Sequence, residues 1–401
     1  MLNEDHEIWQ EGVERTSYPR NFLPGETEVL IIGGGVTGIV SAYLLAKEKK
    51  RVVLLEKNII GSGQTECTTG FLTGVIDTDP IKLIKVFGVE QARLILDSHF
   101  QAINEVEKII NSENIKCEFE RCANYIYANN HREEKELPAL ARAYNKLGVK
   151  AEYKKENKLK FNEFGYIEMP NHAKFQVMKY ISALAKLAVK YGAIIAENTE
   201  VLKLEDNGDF VNVQIKDMGL IKAKKVISAT YTPFQGSKKI SRLCNMYREY
   251  VLEYKLPIGQ LTLGTYEDMR TPYNYFRLDQ RAGFDRLIIG GADHLDIIKM
   301  DPEISFQVMK NYVSKLFSGY KLEEVRHWSG LMLETNDGLA YIGEAESKNI
   351  FYIFGFSGNG MTYSYVAGKI LLDHIFLRKN PYSEIYRIDR KISWWKKLYL
   401  K

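Results

Sequence analysis

Six consecutive residues, Gly33-Gly34-Gly35-Val36-Thr37-Gly38, carry the spacing G-x-G-x-x-G. Gly33 permits a tight turn, Gly35 lets the backbone approach a pyrophosphate, and Gly38 permits close helix–strand packing. Val36 and Thr37 begin a helical stretch whose first N–H groups lack partners and whose dipole favours phosphate. Glu56 stands 23 residues after Gly33, at the end of the next apolar run. Its carboxylate can accept both ribose hydroxyls of an adenosine and disfavours a 2′-phosphate. The pattern therefore argues for NAD or FAD and against NADP.

The stretch at residues 60–74, IGSGQTECTTGFLTG, is dense in Gly, Ser and Thr. Such a loop can donate backbone and hydroxyl hydrogen bonds to pyrophosphate and ribityl oxygens, which favours FAD. Gly61, Ser62, Thr65, Thr68, Thr69 and Gly70 are its candidate contacts. A second glycine-rich turn, Phe356-Ser357-Gly358-Asn359-Gly360-Met361-Thr362, enters a helix late in the chain. Against a flavin, a helix N-terminus near N1 and C2=O would stabilise the negative charge of the reduced ring.

Few other residues advertise chemistry. Ser228 and Ser357 lack a G-x-S-x-G setting, and the seven histidines are scattered with no HExxH, so no metal site is expected. His294 and His327, the latter beside Trp328, stand near glycine or aromatic segments. Arg277, between Tyr275-Phe276 and Leu278, is suited to bidentate pairing with a substrate carboxylate or to a structural ion pair. The four cysteines form no CxxC; a Cys117–Cys122 disulfide is open, with a reduced interior the plainer reading.

The elements that must position these residues follow from periodicity. Residues 29–32, the helical stretch 36–49 and residues 51–55 read as β-α-β, with both strands continuously apolar as in a sheet covered on two faces. Residues 80–110 and 173–191 read as amphipathic helices, and 118–128, 193–196, 201–204, 210–215 and 225–229 as strands. Aromatic and β-branched runs over 245–292 predict a separate antiparallel sheet. A helix is expected over 302–318, a buried strand at 350–354 and a helix from the second glycine turn to about 377. The 401 residues carry 55 Lys+Arg against 51 Asp+Glu, an ordinary globular balance that argues against a dedicated nucleic-acid binder. The N-terminus lacks a secretory h-region, and no window is apolar enough to span a bilayer. Residues 390–401, RKISWWKKLYLK, could rest on an anionic membrane surface or cover the protein body or a partner.

In these motifs the chain resembles the D-amino-acid oxidase-like FAD-dependent oxidoreductases, which include glycine oxidase and sarcosine oxidase. The strongest local likeness is to a branch whose members often carry a C-terminal Rieske iron–sulfur domain. It rests on IWQEGVERTSYP, VLIIGGGVTGIVSAYLLAKEKKRVVLLEK, IGSGQTECTTG, HWSGLMLETNDGLAYIG, GFSGNGMT and NPYSEIYRIDR in that order, and it covers nearly the whole chain. The resemblance implies an α/β fold with an α+β second domain. A discontinuous Rossmann-like FAD-binding domain (29–80, 180–230 and 325–378) would interleave with a substrate domain on a large mixed or antiparallel sheet (81–179 and 231–324). Residues 1–28 would form an N-terminal extension and 379–401 a basic aromatic tail.

By the same resemblance, Gly33, Gly35 and Gly38 approach the pyrophosphate, Glu56 binds the ribose with Lys57 nearby, and Val201 contacts adenine. Ala229-Thr230 matches an Ala-Thr-Gly segment, with Tyr231 in place of the glycine. Gly358, Asn359, Gly360, Met361 and Thr362 form the flavin-side loop. Tyr273, Tyr275, Arg277, His327 and Trp328 would line the substrate face. No cysteine occurs over 329–333, where sarcosine oxidase-like relatives attach flavin, so noncovalent FAD is expected. No Rieske ligand pattern occurs. The implied reaction is oxidation of a C–N bond of an amino acid or secondary amine, with electrons passed to oxygen, a separate protein or a quinone. An NAD-dependent dehydrogenase and a non-catalytic FAD-bound electron-transfer or scaffold subunit are the alternatives. The expected setting is cytoplasmic, at most peripheral at the inner membrane surface, with homo-oligomerisation open.

Overall fold

The computed structural model describes residues 6–20, 22–155, 158–236, 240 and 242–391. Most of the basic tail, including both of its tryptophans, lies outside them. β1 (Glu26–Ile32), α1 (Val36–Lys47) and β2 (Val52–Leu55) form the opening unit. Val29 to Ile31 and all of β2 are buried, as strands covered on both faces must be. α1 is buried from Val36 to Ala46, so it has no polar face to show solvent.

β3 (Phe71–Leu72) leads to α2 (Pro80–Phe87) and α3 (Val89–Ser112). The single helix expected over 80–110 is two, because Gly88 takes a φ of +82° and breaks the ladder. Asp79 caps α2 by accepting from the Ile81 and Lys82 N–H groups, with Pro80 at the first position. β4 (Glu120–Tyr127) precedes α4 (His131–Lys146), a helix absent from the sequence reading, with Pro138 inside it. Asn130 caps α4 through its side chain. β5 (Glu152–Lys154) and β6 (Tyr166–Lys174) follow, then α5 (Val177–Lys190). Ala173 and Lys174, expected in that helix, are strand; the Gln176 side chain caps Lys179 N–H and sets the later start.

Four strands come next: β7 (Ile194–Ala196), β8 (Val201–Asp206), β9 (Val211–Ile215) and β10 (Gly219–Ser228). β11 (Cys244–Leu256), β12 (Gly264–Asp268), β13 (Tyr275–Arg281) and β14 (Phe284–Leu295) precede α6 (Pro302–Leu316) and β15 (Glu323–Thr335). β16 (Tyr341–Glu344), β17 (Ile350–Phe354), α7 (Gly360–Ile375) and α8 (Ser383–Tyr386) complete the described elements.

The strands form two sheets. The first runs β16-β17-β10-β1-β2-β7, with β9 on β10 and β8 on β9. Its centre is parallel: β17, β10, β1, β2 and β7 all point the same way, so their C-terminal ends share one rim. Ligands of open α/β sheets bind at that rim. The second sheet runs β15-β11-β14-β13-β12-β4-β6-β3, with β5 on β6, and is antiparallel except between β12 and β4. α1 packs against α5 and α7. Gly368 brings α7 close, since a Cβ there would stand 3.1 Å from Leu44 and 3.2 Å from Val40. All four cysteines are free thiols, so Cys117 and Cys122 are not joined. Burial pushes these two thiols up, to about 12 and about 11, which keeps them protonated.

Candidate cofactor and substrate site

The rim of the parallel sheet opens into a cavity of about 670 Å³. Gly33 turns the chain at the end of β1 with φ +106°, and its N–H donates to the Leu55 carbonyl at 2.9 Å. A Cβ there would lie 2.5 Å from the Ala229 carbonyl oxygen. At Gly38 it would lie 1.9 Å from the Gly33 oxygen, so only glycine lets α1 seat on β1. Gly35 at the start of α1 has no side chain to cap it and the first turn holds no acid, which leaves its positive end for an anion. Glu56 is fixed at the tip of β2: its Oε2 accepts Gly34 N–H and its Oε1 accepts Asn58 N–H, each at 2.7 Å. Thr65 Oγ1 accepts Val36 N–H at 3.1 Å and ties the 60–74 loop to the same turn.

Most residues expected to hold the dinucleotide line this one cavity. They are Gly33, Gly35, Val36, Thr37, Glu56 and Lys57, then Ser62, Thr65, Thr68 and Thr69, then Val201, Ala229 and Thr230, and finally Gly358, Gly360 and Met361. The remaining five stand behind its wall. Gly38 packs on Gly33. Gly61 donates to the Gly34 carbonyl and abuts Met178. Gly70, at φ +73°, packs on Arg277 and Trp9. Asn359 Nδ2 donates to Thr73 Oγ1 at 2.8 Å and Thr362 Oγ1 donates to the Thr73 carbonyl at 3.1 Å. These two bonds pin the second glycine turn to Thr73. α7 likewise begins with no side-chain cap and no acidic residue in its first turn. The bare glycine turn, the two acid-free helix starts and the hydroxyl-rich loop between them fit FAD along the cavity, from Glu56 to Gly358.

The residues expected to face substrate divide. Tyr275 lines the cavity, and its hydroxyl donates to Glu249 Oε2 at 2.8 Å. Tyr273 donates to Asp77 Oδ1 at 2.9 Å, and Asp77 Oδ2 accepts Gly358 N–H at 2.8 Å. The two tyrosine rings lie 5.8 Å apart beside the second glycine turn. Arg277 does not reach out to a ligand. Its Nη2 contacts both oxygens of Asp279 at 2.8 and 2.9 Å, and its Nη1 donates to the carbonyls of Thr69, Gly70 and Phe175. Asp279 sits two residues along the same strand and so on the same face, where it captures the guanidinium. Trp328 is fully buried, and its indole donates to the Cys67 carbonyl at 2.8 Å; it supports the cofactor loop from beneath. His327 faces the other way, with Nδ1 3.2 Å from Glu324 and its ring against Phe306. His294 is held by Tyr250 Oη and the Leu295 carbonyl.

Sequence reasoning missed the acids. Burial raises Glu249 to about 7 despite the Tyr275 bond, and the Asp77 charge adds to the rise. Burial, then Glu249, Asp77 and Glu334, raise Asp293 to about 8. Glu267 is raised to about 7 by burial and by Asp77. Burial also raises Asp77 and Glu334. Asp77, Glu249 and Asp293 are spread over 216 residues of sequence, and only the folded sheet brings them into one field. Glu249 follows Arg248 in a strand of mixed polarity, so no local signal marked it.

Comparison with known proteins agrees with this geometry. The family model described as FAD dependent oxidoreductase matches residues 28–374. A putative Rieske 2Fe-2S iron–sulfur protein, YhfW, of Bacillus subtilis (strain 168) is 29% identical over 387 residues, covering 95% of this chain and 75% of that protein. Glycine oxidase of the same organism is 25% identical over 384 residues, covering 91% and 97%. The crystal structure of glycine oxidase from Geobacillus kaustophilus superposes with a TM-score of 0.73 at 19% identity, covering 92% of this chain and all of that one.

Proposed function

Taking as premise that the chain belongs to the FAD dependent oxidoreductase family, we propose that it oxidises a C–N bond of an amino acid or secondary amine. Bound FAD supplies the hydride acceptor, and the resulting imine is hydrolysed by water. The observation that carries this reading is the single cavity running from Glu56 at one glycine turn to Gly358 and Met361 at the other. An NAD site would use the first turn alone. The uncapped start of α7 would face the ring and favour its reduced, negatively charged form. Tyr275 and Tyr273 stand next to that turn, where they would orient the substrate. Reoxidation would be by oxygen or by a separate protein or quinone. Among the described residues no helix is long and apolar enough to cross a membrane.

The test is anaerobic. The purified holoprotein should show flavin absorption bands, and amines or amino acids should bleach them. Bound flavin that no member of a broad amine and amino-acid panel reduces would refute catalysis.

A further inference from the structure

The charge of the wall beside the second glycine turn narrows the substrate. This step rests on the proposed C–N oxidation. Two tyrosine–carboxylate pairs stand there, Tyr275–Glu249 and Tyr273–Asp77, with Asp77 also holding Gly358 N–H. Asp293 lies in the same field, and its Oδ1 is shielded from solvent with no hydrogen-bond partner among the described residues. A buried carboxylate oxygen without a donor costs free energy unless something arrives to satisfy it.

No cation among the described residues does so. Among the described residues the only basic one lining the cavity is Lys57, beside Glu56 at the adenosine end. Arg277 is saturated by Asp279 and three carbonyls, and Arg248 is turned to Asp296 and Ser329 Oγ and does not line the cavity. A metal ion is no better counter-charge, since the described acids do not converge in the groups of three that could hold one. An α-amino acid would set its own carboxylate against Glu249 and Asp77 with no guanidinium to receive it.

We infer that the substrate is a cationic alkylamine that carries no carboxylate next to its reacting carbon. Its ammonium is recognised by the Glu249–Tyr275 and Asp77–Tyr273 pairs, and one N–H proton passes to the Glu249 carboxylate so that the nitrogen lone pair can form the C=N bond as hydride leaves the carbon.

The test uses two ligands of like shape and opposite charge, neither of which has a hydrogen to give from its central carbon: tert-butylammonium and trimethylacetate. Each is titrated into the FAD-loaded enzyme while the flavin bands are followed. The expected result is a saturable shift with tert-butylammonium and none with trimethylacetate. Glu249→Gln, which keeps an acceptor for Tyr275, should weaken the ammonium at least tenfold with FAD retained, and Glu249→Asp should restore part of the loss. Asp77→Asn, which keeps an acceptor for Tyr273, gives the same reading should Glu249→Gln fail to fold. Tighter binding of trimethylacetate, or no response to either ligand, overturns the inference. Anaerobic reduction separates the two levels. Bleaching by glycine or sarcosine but not by n-butylamine or 1,4-diaminobutane refutes the substrate class and leaves C–N oxidation standing. Saturable ammonium binding without bleaching by any amine refutes the oxidation and leaves the cation site standing.

Discussion

Replacing Arg277 separates a structural role from a substrate-binding one. Its guanidinium is 3% exposed and spends its donors on Asp279 and on three carbonyls that belong to the cofactor loop and to the residue before Gln176. Arg277→Met removes one partner of a buried pair, which typically costs about 3–5 kcal/mol. Lys174 and Arg286, at 3.2 and 2.8 Å, still face Asp279 and soften the loss of charge balance, while the orphaned carbonyls add to the cost. A net loss of about 4 kcal/mol is therefore expected. With a melting entropy of about 2.1 cal/mol/K per residue, that lowers Tm by about 5 °C in a chain of this length. Arg277→Lys should recover only part of it, because a single ammonium cannot replace the fork that bridges Asp279 and the carbonyls. Differential scanning calorimetry of the holoprotein, with FAD release recorded in the same samples, measures both effects. An unchanged Tm combined with a KM rise confined to carboxylate-bearing substrates would refute the reasoning and return Arg277 to the substrate face.

Three further outcomes follow from the same geometry. Glu249 and Asp293, raised to about 7 and about 8, bind protons in the folded state that the unfolded chain has already lost. Stability of the substrate-free protein should therefore fall as pH rises from about 4.5 to 8. Affinity for tert-butylammonium should rise over pH 6 to 8.5 as the same carboxyls ionise; thermal shifts with and without the ligand read both slopes, and parallel curves would count against the acids. Trp328→Phe leaves the Cys67 carbonyl without its donor and a gap beneath the cofactor loop. It should cost about 2 kcal/mol and raise the FAD dissociation constant, measured by fluorescence on reloading, while leaving the pH dependence of turnover in place.

Local chemistry explains what could be read from the chain. The opening β-α-β unit was legible because its glycines, its apolar strands and Glu56 lie within 28 residues and obey short-range rules. The second turn was legible for the same reason. The helix around Pro138 and the strand at Ala173 were not, since caps on Asn130 and Gln176 decide those boundaries through side-chain bonds that periodicity does not reveal. Arg277 misled because alternation gives the face of a strand but not which neighbour takes the charge; Asp279, two residues on, took it. The carboxylates facing the second turn were invisible because strand pairing, not sequence spacing, sets Glu249 opposite Gly330.

The parallel centre of the first sheet also sets a timetable for synthesis. β1 finds its partners at β2, nearby, and at β10, where Glu26 pairs with Lys222 and Ile32 with Ser228; β10 then needs Ile350 to Tyr352. During translation the first glycine turn emerges roughly 200 residues before Ala229 can wall it and more than 300 before Gly358 does. Closing such long loops adds little equilibrium cost but slows folding. Until then one flank of β1 is an unpaired edge, the kind of surface on which nascent chains aggregate. Cofactor uptake is thus a late event on the ribosome's clock, and FAD supply during expression, rather than afterwards, should govern the yield of soluble protein.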